Sequence, residues 1–328
     1  MIGYSKAHTN IALIKYWGKK DEKLMLPMNN SISLTIDAFY SETWVNFKKE
    51  LTKDVFILND KKQSEKETAK VEKFLNDARN LSQTKLFAEV KSVNHVPTAA
   101  GLASSASGMA ALAGSVAASL DLPLDNISLS RLARHGSGSA CRSIYGGFAE
   151  WEQGQDDLTS YAVPLKENLT SFPLAMVFIL INGEKKKISS REGMAHTVKT
   201  SAFYPGWLET IEEDLAQART AIAKEDFLSL GEVTERNALK MHGTMLGANP
   251  PFTYFAPGTI KAMAEIAKAR ENGIPAFFTM DAGPNVKVLV EQKNLKSLLG
   301  HLEKTFPKED LVVAFPSKGI EVKKENLI

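Results

Sequence analysis

The stretch Pro97-Thr98-Ala99-Ala100-Gly101-Leu102-Ala103-Ser104-Ser105-Ala106-Ser107-Gly108 decides how the rest of the chain is interpreted. It lies between a β-prone run at residues 87–93 and an Ala-rich run that predicts a buried helix from about Ser104. Small residues let backbone N–H groups approach an anion, the serines add hydroxyl donors, and the helix presents its positive dipole end. The stretch predicts a phosphate-binding loop, although a Ser/Ala turn that caps a buried helix has the same composition.

The surrounding sequence contains signals for both strands and helices. Residues 31–37 alternate apolar and polar side chains, residues 174–181 form a continuous apolar run, and residues 276–280 and 286–290 flank a turn. Ser64 followed by Glu67 is a capping-box signature for a helix, and amphipathic stripes recur beyond residue 207. Because no regular βαβ repeat is present, the pattern predicts an α+β fold with mixed or antiparallel sheets.

A chain of 328 residues exceeds what a single hydrophobic core usually organises. The second half is richer in helical stripes than the first, and the change of texture follows Asn182-Gly183. We therefore expect two domains, an N-terminal domain over residues 1–185 that binds the phosphate chain and a C-terminal domain over residues 186–328.

Composition limits the partners of the protein. The formal net charge is only +2, so the chain lacks the broad excess of basic residues typical of nucleic-acid binding. The start of the sequence has no signal-peptide pattern, and the weakly polar run at residues 106–120 is too short to span a bilayer. A single cysteine, Cys141, fits a reducing compartment, and the expectation is a cytoplasmic protein without membrane or nucleic-acid partners.

The loop pattern P-x-x-x-G-L-A-S-S-A resembles the phosphate loop of the superfamily of galactokinase, homoserine kinase, mevalonate kinase and phosphomevalonate kinase. Most of these kinases carry Gly where this chain has Ala103. The variant of the loop with Ala at this position resembles the diphosphomevalonate decarboxylase family. Three more segments resemble that family, at residues 10–19, residues 136–143 and residues 280–285. The four motifs occur in order and cover nearly the whole chain, and the resemblance implies an active site in a cleft between two domains.

The resemblance implies an ATP-dependent decarboxylation. The family converts mevalonate 5-diphosphate and ATP into isopentenyl diphosphate, carbon dioxide, ADP and phosphate, in the mevalonate pathway of isoprenoid biosynthesis. It also implies a homodimer. We expect Mg²⁺ to be held mainly by the ATP phosphates, because the sequence contains no cluster of metal ligands.

Three residues are the candidates for catalysis. Asp281 resembles the family residue that accepts or orients the proton of the tertiary hydroxyl, although an Asx-turn residue would also suit its place before Gly283-Pro284. Lys15 would favour the ionised carboxylate, and the planar fork of Arg142 suits the substrate carboxylate. Read singly, each Lys or Arg would more often belong to a solvated surface.

The remaining site residues are grouped by ligand. The resemblance implies that the substrate is bound by Tyr16, Lys19, Ser139, Ser190, Arg191 and Ala282. It implies that ATP is bound by Ser92, Asn94, Pro97, Gly101, Leu102, Ala103, Ser104, Ser105 and Ser107.

Two other functions share some of these features. A small-molecule kinase of the same superfamily, acting on a mevalonate-like alcohol, would keep the phosphate loop and Asp281 but would have no reason to clamp a carboxylate. A non-catalytic sensor on the same fold would be expected to lose Lys15, Arg142 or Asp281, and all three are present.

Overall fold

The computed structural model describes residues 1–95, 104–123, 125–181 and 188–325. In these residues the strands are β1 (Ile2–Ile14), β2 (Lys19–Asp21), β3 (Leu26–Pro27), β4 (Ser31–Lys48), β5 (Val55–Leu58), β6 (Lys61–Lys62), β7 (Phe87–His95), β8 (Phe148–Trp151), β9 (Ala162–Lys166), β10 (Leu174–Ile179), β11 (Ala276–Met280), β12 (Val286–Glu291), β13 (Leu311–Ala314) and β14 (Glu321–Glu325). The helices are α1 (Glu65–Ser82), α2 (Ser104–Ser119), α3 (Asn126–Gly136), α4 (Ser190–Thr200), α5 (Tyr204–Lys224), α6 (Phe227–Leu246), α7 (Pro257–Glu271) and α8 (Gln292–Leu302), with 3₁₀ segments at Gly138–Ile144 and Lys308–Asp310.

A large sheet of eight strands carries the N-terminal half of the site. Its main path runs β14-β1-β4-β7-β5-β6, and β8 and β9 extend it from β4. Helix α2 packs very closely on β1. A Cβ atom added to Gly3 would lie only 1.9 Å from the carbonyl oxygen of Ser115. The small side chains of the Ala-rich run permit this close approach, so the composition that predicts a buried helix also determines how closely the helix lies on the sheet.

A second sheet has the order β11-β12-β10-β13, and all of its pairings are antiparallel. Strand β10 covers residues 174–179 of the predicted apolar run and is an interior strand, as its continuous hydrophobicity predicts. Side chains alternate across β12, so that Val286, Val288 and Val290 join a cluster with α7 and α8, whereas Leu289 faces the largest apolar cluster of the described residues. That cluster also contains Ile11 of β1 and much of α5 and α6.

The sheets confirm the α+β class but divide the chain differently from the predicted boundary. Strand β10 precedes residue 185 and already belongs to the second sheet. Strand β14, near the C-terminus, returns to the first sheet and pairs with β1. Two domains with a boundary after residue 185 remain a proposal, and each sheet takes one strand from across that boundary.

Several helix ends follow directly from local sequence. Ser64 is the N-cap of α1, and its hydroxyl accepts a hydrogen bond from the Glu67 amide at 3.3 Å, which is one of the two bonds of the predicted capping box. None of the helices among the described residues is both long enough and apolar enough to cross a membrane.

Candidate active site

A cavity of about 890 Å³ opens where β1, α2, α4 and the β11–β12 turn meet. Most of the residues predicted for the site line it, although they come from widely separated parts of the sequence. The predicted residues that line the cavity are Lys15, Tyr16, Lys19, Ser92, Asn94, Ser105, Ser139, Arg142, Ser190, Arg191, Asp281 and Ala282.

Six predicted ATP-site positions need separate mention. Pro97, Gly101, Leu102 and Ala103 lie outside the described residues, as does the side chain of Ser104, which begins α2. Ser107 is fully buried, and its hydroxyl lies 3.3 Å from that of Thr9 and 3.0 Å from that of Ser41. The Ser107 side chain therefore links α2 to the large sheet, and the phosphate contact predicted for it stays a prediction.

Lys15 lies immediately after the end of β1, and the protein holds its backbone on both sides. The Asn237 side-chain oxygen accepts a hydrogen bond from the Lys15 amide at 2.8 Å, and the Asn29 side chain donates to the Lys15 carbonyl at 2.8 Å. The Lys15 ammonium then donates to the Ala12 carbonyl at 2.7 Å and to Asp281 Oδ1 at 2.8 Å. The ammonium group is thus buried and fixed in direction.

Asp281 follows the last residue of β11 and has two lysine partners. Lys15 Nζ lies 2.8 Å from Oδ1, and Lys287 Nζ, from β12, lies 2.9 Å from Oδ2. The carboxylate thus faces two cations, unlike the Asx-turn alternative, in which it would bond the backbone of its own turn. About a third of the side chain remains exposed, on the cavity side.

Burial and charge act against one another at this carboxylate. Burial alone would raise the pKa of Asp281, but the two adjacent ammonium groups outweigh it and hold the pKa well below its usual range. Burial also lowers the pKa of Lys15 to about 8, against the raising effect of Asp281. At neutral pH the site holds an ionised carboxylate and a charged Lys15.

Arg142 lies in the 3₁₀ segment and is 2% exposed. Its Nε donates to Asn10 Oδ1 at 3.2 Å, an Nη donates to the hydroxyl of Ser31, and the guanidinium carbon lies 5.8 Å from the centre of the Trp151 ring. Within the described ranges Arg142 forms no ion pair with a carboxylate. A buried guanidinium on the cavity wall without an anionic partner is suited to bind an anionic ligand.

A cluster of cationic side chains lies at the end of the cavity that contains Tyr16 and Lys19. The Tyr16 ring packs edge-on against Trp151 at 4.7 Å, and its buried hydroxyl has no hydrogen-bond partner among the described residues. Burial and the neighbouring Arg191 lower the pKa of Lys19. Arg191 is the second residue of α4, where the helix dipole adds positive potential, so this end of the cavity suits a highly charged anion.

The opposite end of the cavity is lined by strands β4, β5 and β7. Ser92 and Thr43 share a hydrogen bond at 2.9 Å, and the Asn94 side-chain oxygen accepts one from Ser41 at 2.8 Å. Phe56 adds an apolar wall and the exposed Ser105 stands at the start of α2. An apolar wall with a few polar groups is typical of sites for planar organic ligands.

Sequence reasoning missed several of the lining residues. Lys70 and Lys73 project from α1 into the cavity, and their sequence signal was only the charged side of an amphipathic helix. Asn10, whose side-chain oxygen accepts a hydrogen bond from Arg142, lies in the motif at residues 10–19, but that motif predicts no role for it. Lys287 offered a clearer signal, because it is a charged residue between Val286 and Val288 in the apolar part of β12.

Comparison with known proteins adds the family. Residues 7–162 match the model of the diphosphomevalonate decarboxylase-like N-terminal domain, and residues 176–326 match that of the mevalonate 5-diphosphate decarboxylase C-terminal domain. The diphosphomevalonate decarboxylase of Candida albicans is 36% identical over 319 residues, covering 92% of this chain and 87% of the relative.

Solved structures agree with the fold. A structure of MDDEF in complex with MVAPP, AMPPCP and magnesium is 57% identical, with a TM-score of 0.96 and 99% of each chain covered. A structure of the mevalonate diphosphate decarboxylase from Enterococcus faecalis, described for a mevalonate diphosphate mediated ATP binding mechanism, is also 57% identical, with a TM-score of 0.94 and the same coverage. The resemblance seen in the four sequence motifs is confirmed, and the chain belongs to the diphosphomevalonate decarboxylase family.

Proposed function

We propose that the protein catalyses the ATP-dependent decarboxylation of mevalonate 5-diphosphate to isopentenyl diphosphate, with release of carbon dioxide, ADP and phosphate. The observation that carries this proposal is the pairing, in one cavity, of a doubly held carboxylate with a guanidinium that lacks a carboxylate partner in the described part of the chain. A kinase of the same superfamily needs the carboxylate. The expulsion of carbon dioxide also gives a role to the guanidinium.

The charges of the cavity match the parts of this substrate. Lys19, Arg191 and the Tyr16 hydroxyl form the end that suits the diphosphate, and Lys73 adds to its positive potential. Arg142 with Ser139 suits the carboxylate, because a planar fork matches two carboxylate oxygens. Asp281 and Lys15, between these ends, would then face the tertiary hydroxyl.

The reaction begins with attack of the tertiary hydroxyl oxygen on the γ-phosphorus of ATP. A new oxygen–phosphorus bond forms, the bond from the γ-phosphorus to the bridging oxygen of ADP breaks, and the hydroxyl proton passes to water. Because two ammonium groups keep Asp281 ionised, we assign to it the orientation of the hydroxyl and the stabilisation of positive charge more than durable proton uptake.

Loss of phosphate follows, with both electrons of the carbon–oxygen bond, and leaves a carbocation-like centre beside the Asp281 carboxylate. The carbon–carbon bond to the substrate carboxylate then breaks, and its electron pair forms the double bond of the product as carbon dioxide departs. Arg142 contributes by holding the carboxylate in the orientation that this cleavage requires.

ATP would lie with its phosphates at the start of α2, near Ser105, and its base or ribose near Ser92 and Asn94. No group of three or more His, Cys, Asp or Glu side chains suited to a metal occurs in the described residues. Mg²⁺ is commonly held by few protein carboxylates, so the ion would be carried by the nucleotide phosphates, whose charge it would offset.

We propose a cytoplasmic homodimer as the working state. The thiol of Cys141 is buried, and burial raises its pKa to about 12, which suits a chain without disulfide chemistry.

Helix α6 exposes Leu228 and Leu239 beside Glu232 and Arg236, a mixture of apolar and oppositely charged side chains that suits a contact between identical faces. Light scattering of the purified protein should give twice the mass of 36.0 kDa.

One assay tests the proposed activity directly. The protein is incubated with Mg-ATP and mevalonate 5-diphosphate, and carbon dioxide and ADP are measured together. We expect the two in equal amounts. ADP without carbon dioxide would identify a kinase, and neither product would identify a binding protein.

A further inference from the structure

Lys287 is buried where a lysine is costly. The residue is 4% exposed and lies at the second position of β12, between Val286 and Val288. Lysine is almost never fully buried unless it is paired, because removing an ammonium group from water costs several kcal/mol. Alternation along β12 turns Lys287 to the same side as Leu289, away from the cluster formed with α7 and α8.

Both ends of the contact are fixed by the hairpin of β11 and β12. Lys287 pairs with Thr279 in the sheet register, so its ammonium reaches Asp281 one residue past the end of β11. The turn between them is held as well, because the Asn285 side-chain oxygen accepts a hydrogen bond from the Ile181 amide at 2.7 Å. The distance from Lys287 Nζ to Asp281 Oδ2, 2.9 Å, is thus built into regular structure.

The charge count shows that Lys287 is not needed merely to neutralise Asp281. Lys15 alone supplies one positive charge to the carboxylate, and Arg142 adds another nearby. His242 of α6 faces the same group, and burial together with Lys15 lowers its pKa to about 3, so it is neutral. Lys287 therefore brings a surplus positive charge into a buried site.

We propose that Lys287 is a positioning residue of the reaction, which holds the second oxygen of Asp281 so that the carboxylate is clamped between the two sheets. Lys15 follows β1 of the large sheet and Lys287 belongs to β12 of the small one. A carboxylate held at both oxygens cannot rotate out of the orientation in which it faces the cavity. This inference rests on the proposed role of Asp281 in the reaction.

The experiment compares Lys287→Met, which keeps the apolar stem and removes the charge, with Lys287→Arg, which keeps the charge. For Lys287→Met we expect kcat to fall by about 10- to 100-fold. KM for ATP and for mevalonate 5-diphosphate should change less than about threefold, because the orientation of a catalytic group lowers the activation barrier more than it strengthens substrate binding. Lys287→Arg should recover part of the loss. Lys293→Met, on the exposed Lys293 beside Glu291, is the surface control and should behave as the parent.

A pH profile separates positioning from a purely structural role. Lys287 contributes to the lowering of the Lys15 pKa, so its removal should move the alkaline decline of kcat/KM to higher pH. A variant of lower thermal stability but with parental kcat and an unmoved profile would overturn the proposal.

A double variant distinguishes this inference from the proposed function. If Lys287 acts through Asp281, adding Lys287→Met to Asp281→Asn should cost no further activity. Separate, additive losses would show that Lys287 acts elsewhere. Parental activity of Asp281→Asn alone would contradict the role of Asp281 itself, whatever Lys287 does.

Discussion

Two buried arginines, Arg134 and Arg142, lie eight positions apart in the chain and have opposite surroundings. Arg134 is fully buried and donates to the carbonyls of Leu24 and Ser160 and to the carboxylate of Asp157. Among the described residues, Arg142 donates to the neutral oxygens of Asn10 and Ser31 and to no carboxylate, and it lines the cavity. One guanidinium is satisfied by the protein, and the other keeps its charge available to a ligand.

The carboxylates of the two regions differ in the same way. Asp157 accepts from Arg131, Arg134 and His135, and although burial alone would raise its pKa, these partners lower it to about 2. Asp281 also lies between cations, but its own face is open to the cavity. Burial and ion pairing alone therefore do not identify a catalytic group, and the orientation toward a cavity is what distinguishes the two.

The largest expected effect comes from removing the charge of the cavity carboxylate. Asp281→Asn should lower kcat by about 10² to 10⁴, because the amide neither orients the hydroxyl proton in the same way nor stabilises positive charge. Two buried ammonium groups then lose their partner, so a lower melting temperature is expected as well. Asp157→Asn is the matched control, which should lose stability and keep its kcat below the unfolding transition. Parental turnover of Asp281→Asn would remove it from the mechanism.

Exchanging each arginine for lysine tests the comparison itself. Arg142→Lys should lower turnover more than tenfold with little change in melting temperature, because the charge remains but the fork for the carboxylate is lost. Arg134→Lys should lower the melting temperature by about 4 °C or more, through loss of hydrogen bonds to buried carbonyls, at unchanged kcat. The reverse outcome, a stability defect in the first and an activity defect in the second, would exchange the two roles.

A smaller effect is expected at the start of α2. Ser105→Ala removes a hydroxyl on the cavity wall, and a hydrogen bond to a charged phosphate is worth roughly 1.5 kcal/mol or more, so KM for ATP should rise about tenfold. Ser107→Ala is the neighbouring control, because its hydroxyl bonds within the protein. Unchanged ATP kinetics for Ser105→Ala would contradict the contact.

The smallest effect is a pH dependence. The Lys15 ammonium is charged below its lowered pKa of about 8 and loses its proton above it, so kcat/KM should be constant below pH 7 and fall by half near pH 8. Since the pKa of Lys19 is lowered too, Lys19→Arg serves as the control and should leave the decline in place. A profile that stays flat to pH 10 would show that Lys15 keeps its proton.

The elements with strong local signals can be predicted from the sequence alone. The capped helix α1, the amphipathic helices α5 and α6, the apolar strand β10 and the hairpin of β11 and β12 all follow from periodicity and turn chemistry. The four motifs also identified the family, and most of the site residues predicted from the sequence line the cavity. Such signals are local in the chain, so no long-range contact is needed to detect them.

Which charges face the cavity depends on how the chain folds. Lys15, Arg142 and Asp281 meet because β1, the 3₁₀ segment and the β11–β12 turn converge, and the same folding turns Ser107 inward and brings Lys287 to Asp281. The sheet to which a strand belongs likewise depends on pairing partners distant in sequence. For this reason β10 and β14 each join the sheet whose other strands lie beyond the predicted domain boundary. Burial, pKa and the availability of hydrogen-bond donors all depend on neighbours in space, which the order of residues along the chain does not reveal.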